Sequence, residues 1–558
     1  MTLLDALSRL IRALPLVLPC LALLACGSSS APAPAPFEPQ TDALCEPEGE
    51  TLVFTGTVAR SDAKQYRMQP FDVAPGTTRI ELAYGWQESA GLPATPLTGT
   101  TLDLGLYDQR GVRDGFRGWS GSRQGRLDQG QPPVFIQADA AERGYMPGPI
   151  EAGLWFAELG VATVSPQGAE WRLEIRCSGS PTAGRNAPDP VDATHVARSA
   201  PGWYHGDLHM HAFHSQPNGP SWEEFIAQSR AAKLDFLMVT EYVTGQHWKT
   251  LGAVARAHPD LLIVPGREII TYYGHANTHG ETPGLYEYRQ GFEDVSLGDI
   301  QKKARAMGAL FQISHPTFFP PPLFENLCRG CYFELGDEID WDAVDTLEVL
   351  TGPVITQAAD AGLPLPLPVG IENPFMQSAI DLWEEKLLAG HRITAVSGSD
   401  SKGVEAEAER GRVGYGSSAT AVQLDALSRD ALFEALRAGR AYIRTRGVDS
   451  SPELRMTATA DNQSVTFGGT LPSASATLRT EVIGGQGQQL RYFANGRLMR
   501  IVAVSSDPFV HEITISDLPD AGPLGTFWRV ETADLRARTT IGNPVFLQPR
   551  ADGADPPQ

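Results

Sequence analysis

Between Trp203 and about Arg446 the chain repeats one device: a short apolar run, then a cluster of histidines, carboxylates or small polar residues, then a stretch of helical period. The runs end in Asp207-Leu208-His209, Asp235-Phe236-Leu237-Met238-Val239-Thr240, Leu261-Leu262-Ile263-Val264-Pro265, Leu310-Phe311-Gln312-Ile313-Ser314, Thr346-Leu347-Glu348-Val349-Leu350 and Ile393-Thr394-Ala395-Val396-Ser397. Such alternation predicts strand–helix units. Ser221-Trp222-Glu223-Glu224 is a capping box that opens a helix through Leu234, and Ser428 opens a last helix that stops at Gly439. Parallel barrels bring the C-terminal ends of different strands together, so residues far apart in sequence meet in one cavity.

The flanks follow another rule. Residues 45–180 alternate with period two between Gly, Pro and Thr turns, as in Arg79-Ile80-Glu81-Leu82-Ala83-Tyr84, which predicts a β-sandwich or jelly roll. Nothing in that stretch looks catalytic. Residues 181–200 read as a linker, and alternation returns over 447–558, predicting a second sandwich-like domain. The expected domains are thus 45–180, 201–446 and 447–558, as 558 residues are too many for one core.

Ahead of them, Arg9 and Arg12 precede a short apolar run that ends Leu23-Leu24-Ala25-Cys26. This is the pattern of a secretory signal over 1–25, too short for a spanning helix. Leu-Leu-Ala-Cys resembles the bacterial lipobox, which implies an acylated Cys26 holding the protein to a membrane of the cell envelope, facing the periplasm or exterior. Residues 26–44 then form a Ser/Ala/Pro tether. Export makes a disulfide between Cys45 and Cys177 plausible, and Cys328 and Cys331, with no second pair to complete a zinc site, suit a local disulfide. A formal charge of −21 and the lack of a Lys/Arg stripe exclude a nucleic-acid binder.

Residues of metal-binding type sit past the runs: His209-Met210-His211, Gly266-Arg267-Glu268, Gly274-His275, His315-Pro316 and Gly398-Ser399-Asp400-Ser401-Lys402. Each alone has a bland reading as a strand end or turn; their recurrence at successive strand ends points to a common site. His214 and His279 are read as outer-layer or surface residues, His205 as locally hydrogen-bonded, and Arg267 and Arg412 as surface or ion-pair residues rather than anion binders.

In order, Asp207-Leu208-His209-Met210-His211, Thr240-Glu241-Tyr242, Val264-Pro265-Gly266-Arg267-Glu268, Gly274-His275-Ala276-Asn277, Ile313-Ser314-His315-Pro316 and Ser397-Gly398-Ser399-Asp400 resemble the motifs of the PHP (polymerase and histidinol phosphatase) superfamily. The stretch from Gly105 to Trp155 resembles the β domain of CehA/McbA-like metallohydrolases, and the likeness covers most of the chain beyond the tether. It implies a distorted (β/α)7 barrel flanked by two all-β sandwich-like domains. It also implies two divalent metal ions (Zn²⁺, Mn²⁺ or Fe), one held by His209, His211, Glu268 and Asp400, the other by a bridging Glu268 with His275 and His315. Tyr242 and Lys402 replace the two histidines that hold a third metal in three-metal relatives. Lys402 then either supplies a fixed positive charge beside the catalytic carboxylates Glu268 and Asp400, or is a solvated loop cation. The implied chemistry is hydrolysis of a small-molecule ester by metal-activated water, on phosphoesters or, as in the CehA/McbA branch, on carbamate or carboxyl esters. A surface-anchored carbohydrate- or protein-binding module that has lost activity is the reading of another class.

Overall fold

The computed structural model describes residues 37–89, 97–179, 188–212, 219–352, 372–403 and 414–549; Cys26, the signal segment, most of the tether, His214 and Arg412 lie outside them. Seven strands form one end of a 15-stranded sheet: β1 (Gly202–Met210), β2 (Phe236–Tyr242), β3 (Leu262–Thr271), β4 (Gly274–His279), β5 (Leu310–Ser314), β6 (Thr346–Thr351) and β7 (Thr394–Gly398). They lie in the order β7-β6-β5-β4-β3-β2-β1. The chain beyond β7 then returns to the end of β1. Met210 and Ser401 bridge in parallel, Asp400 N donates to His209 O at 2.8 Å, and His211 N donates to Ser401 O at 3.0 Å. Both ends of the seven-strand run therefore meet where the histidines are.

A (β/α)7 barrel does not form. β1, β2 and β3 are parallel, as are β5, β6 and β7, but β4 runs antiparallel to both β3 and β5. The third apolar run does not stop at Pro265. It continues through Glu268 to Thr271, turns at Tyr272-Tyr273 and comes back as β4, with Gly274 at φ +153° where the Phe333 ring closes on it. A hairpin needs no crossover helix. Helices α1 (Trp222–Ala231), α2 (Leu251–Ala257), α3 (Leu297–Ala306) and α4 (Met376–Ala389) cover the other connections, except that between β5 and β6, where the described residues hold only short 3₁₀ turns. The expected capping box is in place on α1: Ser221 Oγ accepts from Glu224 N at 3.3 Å and Glu224 Oε2 from Ser221 N at 2.8 Å.

The N-terminal module is a sandwich. Five strands (44–45, 65–73, 153–163, 101–107 and 116–121 in spatial order) face four (52–58, 169–178, 79–88 and 134–137). Their inward residues, among them Phe71, Leu82, Tyr84, Leu104, Trp155 and Leu173, make one core that the Cys45–Cys177 disulfide borders.

The C-terminal strands are not a separate sandwich. Ala419–Leu424 continues the central sheet from β1, Ala441–Arg444 follows it, and Tyr442 pairs in turn with Gly542. One layer of the C-terminal module is thus an extension of the central sheet, and its core joins Ala421 and Tyr442 to Leu454, Leu478 and Trp528. Sequence patterning shows where strands are but not which ladder they join.

Candidate metal centre

The six residues singled out as ligands come together. His209 ends β1 and His211 follows it, Glu268 lies in β3, His275 opens β4, His315 follows β5, and Asp400 follows β7. His209 Nε2 and His211 Nε2 both stand 3.4 Å from Glu268 Oε2, and stand 3.5 and 2.9 Å from Asp400 Oδ1. Glu268 turns its other oxygen, Oε1, to His275 Nδ1 at 3.0 Å and His315 Nε2 at 3.3 Å. His315 and Asp400 have positive φ, 31° and 49°, a backbone region that non-glycine residues rarely occupy and that concentrates at functional sites.

Proton counting shows what the centre is built for. A neutral imidazole carries one N–H. His275 Nε2 faces the Arg329 carbonyl at 2.8 Å while its Nδ1 faces Glu268. His315 Nδ1 faces the Cys331 carbonyl at 3.3 Å while its Nε2 faces Glu268. His209 Nδ1 faces Glu348 Oε2 at 3.0 Å, and its Nε2, like Glu268 Oε2, is buried with no hydrogen-bond partner. His275 and His315 thus meet an acceptor on both nitrogens, while His209 has one on Nδ1 and two carboxylate oxygens 3.4–3.5 Å from Nε2 that make no hydrogen bond with it. Either His275 and His315 are imidazolium, or a cation stands between them and Glu268.

The separations fit the second case. Donor atoms of His209, His211, Glu268 and Asp400 lie within 4.8 Å of one another. Bonds of about 2.0–2.1 Å in a tetrahedral site put ligand atoms roughly 3.3–3.5 Å apart, close to the distances above. Glu268 Oε1, His275 and His315 form a second donor set sharing the same carboxylate. The Cys331 sulfur also lies beside His275 and His315. It is bonded to Cys328, as expected for this pair, and so offers no thiolate.

The carboxylates make the centre strongly electronegative, which a bound cation or added protons would offset. Burial opposes charge on His209, but Glu348, Glu268 and Asp400 outweigh it and hold its pKa well above the ordinary value. Burial and then Lys402 push His211 down to about 4, leaving it neutral. Asp400, despite its burial, is held well below the usual carboxylate range by Lys402 and His209. Lys402 is 5% exposed and its ammonium contacts the Asp400 carbonyl at 2.7 Å and the carboxylate itself, so it is not a solvated loop cation. Tyr242 lays its ring 4.2 Å from that of His211.

No protein-family model matches the chain, and no curated protein does. Seven solved chains match. One is a two-domain protein from Bacteroides vulgatus described as containing a predicted PHP-like metal-dependent phosphoesterase; it is 15% identical, with 65% of this chain and 100% of that chain covered, at a TM-score of 0.33. At that score the two chains need share no more than a broad architecture. The chemistry here has to be read from the chain's own residues.

Several of those residues were not singled out from sequence. Glu348, fully buried in β6, accepts from His209 Nδ1 and from His315 N at 3.1 Å; a lone carboxylate inside the run Thr346–Leu350 was its signal. Asp207 accepts from the backbone N–H groups of His209, Ser399 and Gly416 at 2.9–3.1 Å, tying β1 to the loop that carries Asp400; burial pushes its pKa up to about 6. The carbonyls of Arg329 and Cys331 carry no sequence signal, since every residue has one. Other residues drop out of the centre. His279 is buried in β4 against Gln312. Arg267 is neither a surface nor an ion-pair residue: buried, it donates to the carbonyls of Val243, Thr282 and Leu285.

Proposed function

We propose that the protein is a metal-dependent hydrolase using two divalent cations, acting on phosphoesters outside the cytoplasm and anchored through Cys26. The observation that carries the catalytic part is the set of three buried imidazoles whose inward nitrogens face one carboxylate that turns an oxygen to each side, while their outer nitrogens are held by acceptors. Bound ions at such a centre supply a water of lowered pKa and positive charge for the anion that develops in the transition state. The chain's part is preorganisation. Glu348 keeps the His209 proton on Nδ1, and the carbonyls of residues 329 and 331 do the same for the outer nitrogens of His275 and His315, so each lone pair points inward. Lys402 keeps Asp400 ionised and adds a fixed positive charge at the side of the centre where Asp400, its side chain 11% exposed, is the ligand most open to solvent. The signal-like start and Leu23-Leu24-Ala25-Cys26 support the location.

The test is metal content of the body from residue 45 onward, with hydrolysis of model phosphoesters and carboxyl esters assayed on the same preparation. About two ions per chain are expected, lost together with activity in Glu268→Ala. Turnover of carboxyl esters or carbamates alone would replace the phosphoester reading. A stable chain with neither metal nor turnover after addition of Mn²⁺ or Zn²⁺ would leave the binding module.

A further inference from the structure

The N-terminal module reaches the metal centre with a cation that forms no ion pair among the described residues. Arg123 follows the strand Phe116–Gly121, and its guanidinium carbon lies 5.0 Å from the Trp119 ring centroid and 4.3 Å from that of Tyr242. Tyr242 in turn touches the His211 ring and has Lys402 Nζ 5.6 Å from its centroid. Arg123 Nε is buried without a hydrogen-bond partner, and among the described residues neither terminal nitrogen makes a hydrogen bond or ion pair. Its neighbours behave differently: Arg110 and Arg117 pair with Asp108, Arg113 with Glu293, and Arg126 with Asp128. A second guanidinium is close. Arg329 donates to Ser122 Oγ and lies 2.9 Å from Asp103 Oδ1. Burial and Arg329 together push Arg123 down to about 10, and Asp103, itself paired with Arg329, offsets only part of this. A buried charge without a partner is costly, and stacking on two rings returns only part of that cost. An anion placed there would relieve both the burial and the repulsion.

We propose that Arg123 binds an anionic group of the substrate, so that the substrate is an ester with a second phosphate or carboxylate about one aromatic ring away from the scissile linkage. This rests on the hydrolase reading and narrows it to substrates with two anionic groups, one at the metals and one at Arg123. It also gives the N-terminal module a part in recognition.

Phenylphosphonate and 4-carboxyphenylphosphonate are the probes, titrated calorimetrically into the metal-loaded chain, the second carrying one anionic group more at the far side of the ring. Arg123→Met keeps bulk and removes the charge; loss of one charge-assisted contact should weaken carboxyphenylphosphonate roughly tenfold to hundredfold while phenylphosphonate affinity and metal content stay within about twofold. Arg123→Lys should recover part of the difference. In hydrolysis, Arg123→Met should raise KM for a carboxyphenyl phosphate far more than for phenyl phosphate. Equal loss for both probes, or a lowered melting temperature with carboxyphenylphosphonate affinity unchanged, would overturn the proposal and leave Arg123 a stacking residue. Failure of the hydrolase reading shows separately, as wild-type chain that loads no metal; the carboxyphenylphosphonate comparison is then made on the metal-free chain, where unchanged binding in Arg123→Met again overturns the proposal.

Discussion

At the scale of single residues, the centre shows how much a ligand depends on what stands behind it. Glu348 touches no ligand-facing atom, yet it fixes the proton on His209 and the backbone of His315 at once. Glu348→Gln keeps the shape and can still accept, but it is neutral and presents an N–H to one of those donors. Metal affinity should fall roughly tenfold to hundredfold, as for other outer-layer partners of metal-bound histidines, with the fold intact by circular dichroism. Titration with a competing chelator reads this directly; unchanged affinity would show that Glu348 serves packing alone. His209, His211, Glu268, His275, His315 and Asp400 were legible in sequence because each is a rare residue type in a local pattern. Glu348 was legible too, as a carboxylate within an apolar run, though it was passed over.

At the scale of elements, the loop Cys328–Cys331 has no regular structure of its own yet holds the outer nitrogens of both histidines on the Glu268 Oε1 side. Arg329, contacting Asp103 and Ser122 of the N-terminal module, moors it from the other end. If the loop sets those tautomers, reducing the disulfide, or Cys328→Ser with Cys331→Ser, should weaken the second ion by roughly tenfold or more and spare the first. Metal-to-protein stoichiometry across a chelator series separates the two sites, and equal loss of both ions would count against this role. The Cys-x-x-Cys spacing was enough to expect a local disulfide. It gave no hint that the loop's carbonyls mattered. The hairpin of β3 and β4 was missed for a related reason: both strands are buried throughout, so no change of period marks where one ends and a helix ought to begin.

At the scale of the whole molecule, the N-terminal module and the central sheet are joined by a buried polar seam. Glu158, fully buried, accepts from Tyr288 Oη at 2.8 Å, and Tyr107 meets Tyr288 in turn. Burial pushes Glu158 up to about 7, against the pull of Arg289 and Tyr288, from an ordinary 4.5. Between those values the unfolded chain has released its proton and the folded chain has kept it, so stability falls as pH rises through this window; below about 4.5 the group has no effect. The full deficit above pH 7 is on the order of 2–3 kcal/mol. Glu158→Gln, neutral at every pH, should therefore raise stability at pH 8 by about 1–3 kcal/mol and change it little at pH 4.5. Urea unfolding at both values checks the sign, and a variant less stable at pH 8 than wild type would show that the seam needs the carboxylate.

Reading along the chain is enough to show that apolar runs recur across its middle, that β-rich segments flank them, and that six metal-type residues lie in or just beyond those runs. Those properties are local: periodicity, caps and side-chain chemistry are written within a few residues of where they act. Folding alone makes β4 run antiparallel, extends the central sheet with the C-terminal strands, and brings Arg123, in a module with no catalytic look, beside Tyr242 at the centre. Those outcomes rest on register and on backbone carbonyls meeting across tens to hundreds of residues. Every residue carries the same backbone groups, so no pattern along the chain distinguishes the few that will be used.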